Sequence, residues 1–251
     1  MKGANKNIAT FVERSRKMKR NVWFFDGLFL ILCIMAKNKK KKQGGQQVVS
    51  PLRFIRERMR SVKIAQCYMT GEAGWNEGEG FVVVIREHTG GRKSFAVYLV
   101  DRWCVGVKDT FFNVRVDDEV VEDMLTRMTG FGTLAPVSYE QAHNMVWGAV
   151  AFAEDAGIKP HKDFAISQYF LEEDTDDVPL IEYDYGLDGK YYLVAKDNLE
   201  LSKYLQPMRK NLAEGDYEYV VDDGFGDYGF DDEEYDDDEY GDEDEPVDDE
   251  M

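Results

Sequence analysis

Apolar residues recur along this chain with two different periods. From Leu52 the pattern is helical: Leu52, Ile55, Met59 and Val62 fall on one side and arginines fill the other. That spacing predicts a short basic amphipathic helix just after Pro51. The period then shortens. "KIAQCYM" (63–69), "FVVVIREH" (81–88), "KSFAVYLVD" (93–101) and a run over roughly 105–116 read as strands. The second and third are apolar at nearly every position, so both of their faces are expected to be covered. Gly90 and Gly91 between them signal a hairpin.

Helical periodicity returns in "DDEVVEDMLTRMTG" (117–130). Acids open this segment, Val120, Val121, Met124, Leu125 and Met128 share a face, and Gly130 stops it. "SYEQAHNMVWGAVAFAEDAG" (138–157) is better specified still. Ser138 and Gln141 are spaced as a capping box, Gly157 as a C-cap, and Pro160 lies just beyond. "HKDFAISQYFLEE" (161–173) predicts another short helix. "PLIEYDYG" and "KYYLVA", joined across Asp188 and Gly189, predict a second hairpin, and "NLELSKYLQPMRKNL" (198–212) a closing helix interrupted at Pro207. Strands first and helices afterwards indicate an α+β domain over residues 50–213, its antiparallel sheet of hairpins and meander covered by helices.

Charge divides the chain differently. Residues 1–60 hold 16 Lys/Arg against 3 acids, while residues 214–251 hold 21 acids and no basic residue. The net charge of -18 therefore comes from the C-terminal end. The lysine cluster that begins at Lys37 and ends at Lys42 reads as a disordered basic N-terminal arm able to contact phosphate backbones, as nucleic acid or on a ribosome. Residues 214–251 read as a disordered acidic tail. The rings interleaved with its acids (Tyr217, Tyr219, Phe225, Tyr228, Phe230, Tyr235 and Tyr240) suit contact with a basic protein. Ahead of the arm, "VWFFDGLFLILCIMA" (22–36) is short for a membrane span and carries Asp26. Three readings stay open there: a membrane-associated segment, a signal peptide, or an untranslated extension of residues 1–34 with the true start at Met35. Cys33, Cys67 and Cys104 are far apart and odd in number, which fits reduced thiols in a cytoplasmic protein.

Seven residues are candidates for chemistry: Asp101, Cys104, Lys108, His143, Glu154, His161 and Asp163. "VDRWCVGVKD" packs a thiol, a lysine and two carboxylates into a short apolar run, yet Trp103, Val105 and Val107 around Cys104 favour a core thiol over a nucleophile. His143, Trp147 and Glu154 share one line of a helix, and "PHKDF" brings His161 and Asp163 nearby in sequence. Packing and capping compete with that reading for the histidines. No metal-ligand spacing is present. "DYGLDGKYYLVA" (184–195) has Gly186 and Ala195 where a calcium loop needs oxygen ligands. No phosphate-cradling loop or nucleophile elbow is present either, so no cofactor and no metal is expected.

Three segments together resemble a group of uncharacterised bacterial proteins: "VYLVDRWCVGVKDTFF", "AHNMVWGAVAFAEDAGIKPHKDF" and "YGLDGKYYLV". In that group an "LVD..CLGVKD" segment precedes a "GA.AYA..LGF.PH.DF" helix-turn. The likeness covers roughly residues 80–195 and implies a bacterial cytoplasmic domain with no activity to carry over. Two functions follow as expectations. One is a non-enzymatic binding module that works through its charged termini. The other is a hydrolase-type enzyme built on the 143–163 helix-turn, which requires His143, Glu154, His161 and Asp163 to converge in a pocket with Asp101, Cys104 or Lys108 nearby.

Overall fold

The structure is a computed structural model that describes residues 50–75 and 78–221. The chain opens on helix α1 (Pro51–Arg58), capped by the Ser50 hydroxyl, which accepts from the Arg53 N–H at 3.2 Å. A 3-10 turn then leads into β1 (Lys63–Thr70). After the one-turn helix α2 (Glu72–Trp75) come β2 (Glu79–Glu87), β3 (Lys93–Asp101) and β4 (Gly106–Val116). Helix α3 (Asp118–Met128) crosses one face, and β5 (Leu134–Val137) returns to pair antiparallel with β1. The five-stranded sheet runs β4-β3-β2-β1-β5, and every neighbouring pair in it is antiparallel. The α+β architecture predicted by the periodicity is the architecture of the molecule.

The doubly apolar strands explain the layering. Alternate residues point to opposite faces, so Val82, Val84, Ala96, Tyr98 and Val100 meet one core, and Phe81, Val83, Ile85, Phe95, Val97 and Leu99 meet another. The first core is closed by α1, by α4 (Tyr139–Asp155) and by the short α5 (Phe164–Ser167). Met124, Met128 and Val121 of α3 close the second. The capping box of α4 forms as expected, with the Ser138 hydroxyl accepting from the Gln141 N–H and the Gln141 side chain accepting from the Ser138 N–H. Close approach of α4 to the sheet depends on Gly106. A Cβ there would come within 2.7 Å of the Ala149 carbonyl oxygen, and its φ of 71° suits glycine.

Four features depart from the sequence expectations. The segment 179–186 is not a strand; beside the Asp188-Gly189 turn only Leu187 and Lys190 pair. Instead β6 (Tyr191–Ala195) pairs in parallel with β7 (Tyr217–Val221). The sequence places those last residues in a structureless tail from 214, but their alternate apolar side chains let them close a third core: Tyr217 packs with Leu193, Tyr204, Met208 and Cys104. Helix α6 (Asn198–Asn211) runs on through Pro207, because Tyr204, Leu205 and Met208 on both sides of it are buried. Finally, Leu52 is 49% exposed, and α1 with the turn after it is anchored by Ile55 and Met59, with Phe54 and Val62 packed against the same core. The basic arm, residues 22–36 and the acidic stretch beyond 221 lie outside the described residues. Among those described, no helix is long and apolar enough to cross a membrane.

Candidate functional site

The two ends of the sheet differ in chemistry. At one end β2 begins, β3 ends and β4 begins, which gathers Glu79, Asp101 and Lys108. Glu79 and Asp101 are cross-strand partners, and an irregularity in the β3–β4 register leaves Lys108 as an extra residue between Val107 and Asp109. The Lys108 Nζ lies 2.6 Å from Glu79 Oε1. Asp101, 3% exposed, accepts through Oδ1 from the N–H groups of Trp103 (2.9 Å) and Cys104 (3.0 Å). Burial and the Glu79 charge push the Asp101 carboxyl up to about 7, with Lys108 acting in the opposite sense. Burial disfavours the charge on Lys108, but the carboxylates of Glu79 and Asp101 outweigh it and hold its pKa above the usual lysine range. Cys104 is fully buried with Sγ 3.6 Å from Met208 Sδ, and burial raises its thiol pKa. A thiol kept neutral cannot act as a nucleophile. The run "VDRWC" is a buried corner that turns β3 into β4.

The remaining candidates are spread over two other places. His161 Nδ1 lies 3.5 Å from Asp109 Oδ1 and 4.0 Å from Asp163 Oδ2, and the His161 N–H donates to the Val107 carbonyl on the sheet edge. His143 is 1% exposed, held between the tilted rings of Tyr139 (5.7 Å) and Trp147 (6.5 Å). The main chain of Glu172 and Glu173 lies beside its ring, but neither ring nitrogen has a partner in hydrogen-bond geometry, and burial lowers its pKa. Glu154 is exposed, eleven residues along the same helix and so about 16 Å away. The structure sets Asp101 in the field of Lys108, whose Nζ reaches Glu79, and sets His161 beside Asp109 and Asp163. Among the described residues, no group of three or more His, Cys, Asp and Glu side chains is placed to hold a metal ion.

At the opposite end of the sheet, where β1 and β3 begin and β2 and β4 end, the surface is basic and aromatic. Helix α1 lays Phe54 against His88 at 5.7 Å, and the Arg115 guanidinium sits 4.5 Å from the Phe54 ring centre. Arg115 occupies a second register irregularity with φ 53°, a conformation that costs a non-glycine residue about 1–3 kcal/mol. Its N–H donates to Ser94 Oγ at 3.0 Å, that hydroxyl lies 2.6 Å from His88 Nε2, and Arg92 donates to the Arg115 carbonyl at 3.1 Å. The bulge thus aims Arg115 at α1. Burial and the Arg115 charge both lower the His88 pKa. Nearby, the Arg60 guanidinium lies 5.0 Å from the Tyr169 ring centre and pairs with Glu173. Arg53, Arg92 and Lys93 pair with Glu57, Asp117 and Asp118. Arg56, Arg58 and Arg115 are exposed and in no ion pair among the described residues.

Sequence reasoning missed this surface, because its parts come from α1, the β2–β3 turn and the end of β4. The arginine-bearing face of α1 was its visible part. Comparison with known proteins finds no matching family model, no matching curated protein and no matching solved structure.

Proposed function

We propose that the protein is a non-enzymatic binding module that holds nucleic acid, free or as part of a ribosome, on the basic end of its sheet. One observation carries this reading: Arg115 stands exposed over Phe54, which lies against His88, and Arg56 and Arg58 stand exposed on the same helix as Phe54, just after the lysine cluster of residues 37–42. None of the three is in an ion pair among the described residues. Guanidinium groups beside rings supply the two things a nucleic-acid strand offers partners for, phosphate charge and base stacking. Lysines just upstream add charge without sequence preference. A reducing, cytoplasmic setting accords with the buried free thiols of Cys67 and Cys104.

Fluorescence anisotropy with a labelled single-stranded oligonucleotide across a salt series tests this. Replacing Arg56, Arg58 and Arg115 together by alanine should weaken binding about tenfold or more at low salt. The same change should flatten the slope of log affinity against log salt by about 0.7–0.9 for each phosphate that no longer has an arginine beside it. An unchanged slope in a folded variant refutes the reading.

A further inference from the structure

The two charged termini attach to opposite ends of the sheet. The N-terminal side enters through α1 at the basic end, where Phe54 meets His88 and Arg115. The C-terminal side leaves through β7, which lies along β6, and β6 is tied to the other end by the Tyr192 N–H donating to the Trp103 carbonyl at 3.0 Å. That other end carries Glu79, Asp101, Asp184 and Glu200 around Lys108 and Arg102, while Arg209 and Lys210 stand exposed on α6 beside the β6–β7 pair. A surface that sets arginines against the rings of Phe54, His88 and Tyr169 lies a strand length away, at the basic end.

Beyond Val221 the sequence holds 18 acids in 30 residues, and Phe225, Phe230, Tyr235 and Tyr240 recur at intervals of five among them. Carboxylates alternating with rings present the same two features as a nucleic-acid strand, repeated negative charge and flat apolar faces. The basic end of the sheet carries the complement of both: arginines in no ion pair among the described residues, and the rings of Phe54, Tyr169 and His88. Reach does not oppose the match. Nine-residue strands such as β2 and β3 span about 30 Å, while 30 residues of chain extend to at most about 100 Å. Tethering makes the encounter intramolecular, with an effective concentration that an untethered acidic chain meets only in the millimolar range.

We propose that residues 222–251 act as a built-in nucleic-acid mimic, occupying the basic face of the same molecule and competing with the strand that binds there. This regulation rests on the function proposed above. Three forms decide it: the full chain, a chain ending at Val221, and a full-length chain with the acids of residues 231–239 changed to Asn or Gln. Both altered forms should bind a labelled single-stranded oligonucleotide about tenfold more tightly than the full chain at low salt, a gap that closes as salt rises. A labelled peptide of residues 222–251 should bind the chain ending at Val221, and the Arg56→Ala, Arg58→Ala, Arg115→Ala combination should abolish that binding. Tighter oligonucleotide binding without peptide binding overturns the proposal in favour of long-range repulsion. Equal oligonucleotide affinity in all three forms overturns it and leaves the function standing. Binding by none of them overturns the function itself. Self-association of the full chain in sedimentation, abolished by truncation, overturns the intramolecular form because the tail then sits on a second copy.

Discussion

Among the described residues Arg86 is the least exposed Arg, Lys, Asp or Glu, 1% exposed on the central strand of a sheet covered on both faces. Its guanidinium donates to the carbonyls of Phe170 (2.9 Å), Arg60 (3.1 Å) and Val62 (2.5 Å) and pairs with Glu172 at 2.8 Å. It therefore ties β2 to the turn after α1 and to the segment after α5. Removing it takes a donor from the buried Phe170 carbonyl, from the part-buried carbonyls of Arg60 and Val62 and from the Glu172 carboxylate. Arg86→Met should cost about 3–5 kcal/mol in urea unfolding, whereas loss of an exposed ion pair such as Arg53–Glu57 should cost less than about 1 kcal/mol. A charged residue inside an otherwise apolar strand was visible in the sequence as an anomaly. Its partners were not, because they lie 24 to 86 residues away.

His143 sets a pH dependence at the same scale. Burial lowers its pKa below the ordinary 6.5, so the native state prefers the neutral ring while the unfolded chain takes up a proton. Its stabilising contribution is whole above pH 6.5 and is lost as the pH falls from there through the native value. His88 shifts in the same direction, through burial and the Arg115 charge. Asp101, pushed up to about 7, works oppositely: its preference for the protonated form is whole below the ordinary carboxyl pKa of 3.8 and fades as the pH rises toward 7. Melting temperatures measured from pH 8 down to about 5 should fall less steeply for His143→Gln than for the natural chain. Equal slopes contradict the assignment.

Elements whose information is local were legible in the sequence. Helix α4 was readable from its capping box and its C-terminal Gly157, and the β2–β3 hairpin from Gly90-Gly91 between runs of opposite facing. The failures were non-local. Parallel pairing of β6 with β7 joins segments more than twenty residues apart, across a helix, and leaves no turn signal in either. Pro207 reads as a break when its missing N–H is weighed without the packing on both sides of it. The same applies to the two ends of the sheet. Lys108 and Arg115 take their roles from register irregularities, which alternation along a single strand does not announce. If β7 closes the third core, then ending the chain at Ala213 uncovers Leu193, which is fully buried, and removes the Lys190–Glu218 pair. That truncation should lose about 2 kcal/mol relative to one ending at Val221. Equal melting temperatures for the two forms contradict it.

Across the whole molecule, burial is not evenly distributed. β2 and β3 lie between two cores, hydrogen-bonded on both edges and covered on both faces. The β6–β7 pair with α6 rests on one small core and has β7 as its outer strand, with Tyr219 47% exposed. Opening that unit exposes Leu193, Tyr204 and Met208 but leaves both faces of the large sheet covered, so it requires less free energy than global unfolding. Native-state hydrogen exchange should therefore separate the two. Amides of Val82–Ile85 and Ala96–Leu99 should exchange only through global unfolding, with the denaturant dependence of the whole domain. Those of Tyr191–Ala195 and Tyr217–Val221 should exchange earlier and together, with a smaller denaturant dependence. The distinction bears on function, because the acidic chain beyond Val221 is anchored to the weaker unit while the basic face belongs to the stronger one. A local opening of β7 lengthens the tether without disturbing the basic surface proposed to bind, so the first detectable loosening of the molecule should leave oligonucleotide affinity of the chain ending at Val221 unchanged.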